Sequence, residues 1–90
     1  MGHDFRWIGW NLEHITEHGV SREEAELVVR TARQPFPQEL TDDKWLVQGR
    51  GNGGRFLQVI YLVGPDDRLF VIHARPLTDR EKGRLRRRRR

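Results

Sequence analysis

The sequence predicts one small α+β domain: an antiparallel sheet, built as a three-stranded meander plus an N-terminal strand, with helices packed on one face. Three observations carry this. The apolar period switches from helical spacing in the first half to alternation in the second. Two Ser/Thr-x-x-Glu capping boxes mark helix starts at Ser21 and Thr78. Turn-forming clusters separate three strand-like runs. The 90 residues suit one domain and leave no room for a second.

Taken in order, Phe5-Arg6-Trp7-Ile8 reads as a short strand. Asn11 is the expected N-cap of a helix over Leu12–His18, and Gly19 stands where a left-handed residue ends it. Ser21 and Glu24 cap the next helix, whose Ala25, Val28, Val29 and Ala32 follow the spacing of a buried face. Pro35 and Pro37 stop it. Strands are expected over Lys44–Arg50, Arg55–Val63 and Arg68–Ala74. The turns between them, Gly51-Asn52-Gly53-Gly54 and Gly64-Pro65-Asp66-Asp67, are tight enough to make the strands antiparallel. Thr78-Asp79-Arg80-Glu81 opens a last helix that runs into arginines.

Composition limits function. With no cysteine, a disulfide scaffold and a thiol nucleophile are both excluded. No apolar run approaches the ~20 residues of a membrane span, and Met1-Gly2-His3-Asp4 lacks signal-peptide features. A cytoplasmic protein without membrane contact is the expectation. The net charge of +4 is uneven: residues 84–90 hold six arginines, so residues 1–83 carry 11 Lys+Arg against 13 Asp+Glu. We therefore divide the chain into a domain over 1–83 and a basic tail over 84–90. Such a tail attracts phosphates of any sequence, or is simply a solvated end.

Strand alternation places His73 and Arg75 on one face with Leu69 and Val71, and Phe70, Ile72 and Ala74 on the other, expected core, face. Lys44, Gln48 and Arg50 likewise share a face opposite Trp45 and Val47. Lys44, Arg50, His73 and Arg75 on one polar sheet face, with Tyr61 if the register allows, form the candidate active site; an ordinary solvated face is the alternative. His14 and His18 have a metal-compatible spacing but no third ligand at a helpful offset, so neither metal nor cofactor is expected. The Gly51–Gly54 loop lacks the Lys and the strand–helix context of a phosphate loop.

The segment from Trp7 to Val20, with its His18-Gly19-Val20 ending and the Ser21/Glu24 cap, resembles the opening of one subfamily of BrnT-type toxins. These are RelE-like ribonucleases of type II toxin–antitoxin pairs. Phe70-Val71-Ile72-His73-Ala74-Arg75-Pro76-Leu77-Thr78 resembles that family's last strand, Ala-Arg and Thr-capped helix. Gly49 and Arg55 stand where the family has a strand-ending Gly and a turn Arg. The likeness spans about residues 5–83. The chain departs from the family pattern at Phe70, His73 and Pro76, and in the short cluster Thr41-Asp42-Asp43-Lys44.

The resemblance implies a RelE/BrnT-like fold and a metal-independent endoribonuclease that arrests growth. Its cognate antitoxin would be a ribbon-helix-helix DNA-binding protein, with a homodimer allowed in the complex. Cleavage without metal needs a base for the ribose 2′-hydroxyl, an acid for the leaving oxygen and cations for the phosphorane. Arg75, His73, Arg50, Lys44, Tyr61 and His18 are the expected catalytic set; Arg55, Arg86, Arg87 and Arg88 are expected to hold RNA. His18 could instead only face the negative end of its helix, and Arg75 could be an ion-pair partner of Asp79 or Glu81. The other function left open is a non-catalytic binding module whose basic tail contacts nucleic acid or an acidic partner.

Overall fold

The computed structural model of the chain describes residues 4–88. Helices α1 (Gly9–Thr16) and α2 (Arg22–Arg30) precede strands β1 (Gln38–Glu39), β2 (Lys44–Arg50), β3 (Phe56–Val63) and β4 (Leu69–Pro76), and α3 (Asp79–Arg88) follows. The strands form one antiparallel sheet in the order β1-β2-β3-β4. The fold is thus α+β, and the expected meander is present.

The fourth strand is not the N-terminal one. Phe5 makes a single parallel bridge to Leu69, with the Arg6 amide donating to the Leu69 carbonyl at 2.9 Å. Pairing stops there because the chain turns into α1 at once. The Ile8 amide donates to Asn11 Oδ1 at 2.7 Å, and Asn11 Nδ2 donates to the Arg6 carbonyl at 3.1 Å. Asn11 therefore acts from inside the first turn, not from the cap, and α1 starts three residues earlier than its sequence suggests. Gly19, at φ 73°, closes the turn after α1.

The Ser21 cap is as expected: the Glu24 amide donates to Ser21 Oγ at 3.1 Å, and the Ser21 amide to Glu24 Oε1 at 3.2 Å. Ala25, Val28 and Val29 of α2 join Ile15, Val20, Val47, Leu57, Val59 and Val71 in the core. The Thr78 box also forms, with the Glu81 amide donating to Thr78 Oγ1 at 3.2 Å.

Two placements differ from expectation. The first is in β4. Ile60 pairs with His73 and Tyr61 with Val71, so Ile72 is an extra residue in a bulge. The bulge resets the alternation: Leu69, Val71 and Ala74 are buried in the core, while Phe70 turns to the other face with Leu62. His73 and Arg75 keep the predicted face. The second is α3, which does not join the other helices. It crosses the opposite sheet face, where Leu85, 2% exposed, packs beside a cavity lined by Leu46, Gln48 and Gln58. That face carries Leu46, Phe56, Ile60 and Leu62, all half-buried, and so requires apolar cover. The helix continues without a break through Arg84–Arg88. The part of the basic tail at residues 89–90 lies outside the described residues.

Candidate functional site

Where α1 meets β4, the side chains form a line of rings. Trp10 stacks on Phe70 at 6.2 Å between centroids and on His14 at 5.1 Å. His14 lies edge-on to His18 at 6.3 Å, and His18 lies 6.1 Å from His73. Helical geometry explains half of this, since residues four apart share a face. The bulge supplies the rest, because it turns both Phe70 and His73 toward the same side.

His73 is half-buried and held from the sheet. Gln48 Nε2 donates to Gln58 Oε1 at 3.0 Å, which leaves the Gln58 amide nitrogen facing His73 Nε2 at 3.4 Å. A donor on that side makes Nε2 the acceptor and places the ring proton on Nδ1. The neutral ring agrees with its electrostatics: burial pushes the His73 pKa down, and the positive charges of Arg75, His18 and His14 push the same way. His18 is exposed in the turn that follows α1. The pair joins a neutral, oriented imidazole to a solvent-facing one, an arrangement able to take up one proton and supply another.

Arg75 stands on the same face, next to the row of amides, but its fork is engaged. Nη1 and Nη2 donate to the two carboxylate oxygens of Glu81 at 2.8 and 2.7 Å, and Nη1 also to the Pro76 carbonyl at 3.1 Å. These bonds, with those of the Thr78 cap, pull the Glu81 pKa down to about 2. Arg75 thus fastens α3 to β4.

The remaining expected residues do not converge on His73. Lys44 and Arg50 share the face but sit at opposite ends of β2, six residues apart, or ~20 Å at ~3.3 Å per residue. Tyr61 lies on the core face, 6% exposed, with its pKa raised by burial. Arg55 holds the β2–β3 turn to α2, donating to both oxygens of Glu24 at 3.1 and 3.0 Å and to the Gly19 carbonyl. Of the tail arginines, Arg88 lies 5.9 Å above Phe36 and donates to Gln38 at 3.4 Å; Arg86 and Arg87 are exposed.

Comparison with protein-family models, with curated proteins and with solved structures finds no match to this chain. Among the described residues, no group of three or more His, Cys, Asp or Glu is placed to hold a metal ion. No helix among them is long and apolar enough to cross a membrane.

Gln48, Gln58, His14 and Trp10 were not expected at the site. The signal for the two glutamines is present but faint: both lie on the polar face of adjacent hairpin strands, at positions that the turn length brings into register.

Proposed function

We propose that the chain is a metal-independent endoribonuclease of the BrnT toxin type, neutralised by a ribbon-helix-helix antitoxin. The observation that carries this reading is the approach of His18 to His73, 6.1 Å apart. His73 takes the proton of a ribose 2′-hydroxyl on Nε2, its unprotonated nitrogen, as the hydroxyl displaces the long 3.4 Å Gln58 contact, and the hydroxyl oxygen attacks the adjacent phosphorus. His18 supplies a proton to the 5′-oxygen as its bond to phosphorus breaks. The products are a 2′,3′-cyclic phosphate and a free 5′-hydroxyl. With Arg75 committed to Glu81, phosphorane charge falls to His18, the proton donor.

Purified protein incubated with labelled single-stranded RNA tests this. Cleavage with cyclic-phosphate ends is expected, together with loss of roughly a hundredfold or more in His73→Ala, the range of acid–base catalysis. Induced expression without a neighbouring antitoxin frame should arrest growth.

A second reading is a non-catalytic module that binds nucleic acid through α3. The Arg75–Glu81 pair favours it, because a carboxylate occupies the cation most suited to a scissile phosphate. RNA binding without any cleavage would select this reading.

A further inference from the structure

Two cavities meet at the end of the β2–β3 hairpin, and they share Arg50 and Phe56. One, about 360 Å³, is lined by Thr31, Arg33, Gly49, Arg50 and Phe56. The other, about 230 Å³, lies under α3 between Arg50, Phe56, Lys82, Leu85 and Arg86. Four cations border this double trough, and none of its lining residues is acidic.

Pairing sorts the cations: Arg6, Lys44, Arg80, Arg84, Arg87 and Arg88 lack a carboxylate partner among the described residues, and so do three of the trough's four, which are gathered around one aromatic ring. Arg22, Arg30, Arg55, Arg68 and Arg75 each pair with a carboxylate. Arg33, Arg50 and Arg86 are exposed and have no carboxylate partner among the described residues. Lys82 reaches Asp79 at 3.5 Å, but that carboxylate is fully exposed, so the pair is weak and solvated. Lys82 and Arg86 are four apart on α3 and present one face. The Arg50 guanidinium carbon sits 4.8 Å from the centre of the Phe56 ring, on the trough's shared wall.

We propose that this trough binds the sugar–phosphate backbone of single-stranded RNA. Arg33, Arg50, Lys82 and Arg86 take its phosphates, and the Arg50–Phe56 stack offers a flat surface to an unpaired base. The inference rests on the ribonuclease reading for the identity of the ligand and deepens it. Phe56 lies four residues from Ile60, the partner of His73, on the same strand, or ~13 Å at ~3.3 Å per residue. The trough and the histidine pair thus lie at the two ends of this stretch of β3, with α3 across the sheet face between them. An acidic peptide would use the cations alone. Bases stack on aromatic and guanidinium planes, and the shared wall supplies both.

The test is fluorescence anisotropy with a labelled, 2′-O-methylated single strand, which cannot be cleaved, across a range of salt. Arg50→Ala and Arg86→Ala should each lower the slope of log K against log salt by ~0.7 on single strands, alike for all sequences. Arg68→Ala, whose cation is already paired, should leave it unchanged. Both trough positions are exposed, and circular dichroism checks that each variant folds. An unchanged slope in the folded double variant overturns the proposal, as does equal affinity of the wild-type protein for polyglutamate. Cleavage of unmodified RNA separates the two claims. A lost slope with no cleavage leaves the trough standing and removes the nuclease; cleavage with an unchanged slope does the reverse.

Discussion

At Arg75 two roles compete, and Glu81 decides between them. The sequence places Arg75 on the open face beside His73, where a guanidinium would suit a scissile phosphate, and it also puts Glu81 within reach. Both terminal nitrogens of the guanidinium are bonded to that carboxylate, so the first effect of Arg75→Ala falls on stability. Side-chain exposures of 30% and 18% put the pair between a surface and a buried ion pair. Its loss should cost about 1–2 kcal/mol, or roughly 4–16 °C in Tm for a domain of this size. Combining Arg75→Ala with Glu81→Gln should add little to either alone, as expected for two ends of one interaction; thermal melts of the four proteins check this. Acid adds a second measurement. The folded-state pKa of Glu81, about 2, lies below its ordinary value of 4.5. The stabilisation is complete above the ordinary value and is lost as pH falls toward 2. Urea midpoints between neutral and strongly acidic pH should show a shallower acid limb in Glu81→Gln.

Elements differ in how openly the sequence declares them. The caps of α2 and α3 were legible because Ser21 and Thr78 each meet a glutamate three residues on, and both boxes form as read. The start of α1 was not: asparagine is among the commonest N-caps, yet Asn11 bonds backward from the first turn. The two-residue β1 follows a proline-interrupted stretch and offers no period to detect. The bulge at Ile72 left no trace, because Leu69 to Ala74 alternates acceptably in either phase. α3 carries the clearest consequence. Arginines surround Leu85, yet it is almost completely buried against the sheet. Leu85→Ala should therefore cost about 2–5 kcal/mol, the range for a buried leucine, read as a lower urea midpoint at unchanged slope. Removing residues 84–90 should destabilise the domain as well as flatten salt-dependent RNA binding, because it takes away the docking leucine with the charges.

Across the whole molecule, the histidine pair is the feature no local pattern announces. His18 lies in the turn after α1 and His73 in β4, and only packing of that helix along that strand brings their rings together. The face was legible, since alternation alone put His73 and Arg75 opposite the core. The membership of its site was not: Tyr61 went to the core, Lys44 and Arg50 lie at the two ends of β2, and Gln58 arrived through register. The neutral state of His73 gives a further expectation. Its pKa lies below the ordinary 6.5 because the ring is buried. As the base it stays competent below that pH, so the acid limb of the rate profile should fall on the acidic side of 6.5. Cleavage of single-stranded RNA in EDTA, by the wild-type protein and by His18→Ala and His73→Ala, tests the central claim most directly. The account predicts cyclic-phosphate products in the chelator and a loss of roughly a hundredfold or more in each variant; full activity in folded His73→Ala, or activity that disappears in EDTA and returns with added metal, would contradict it.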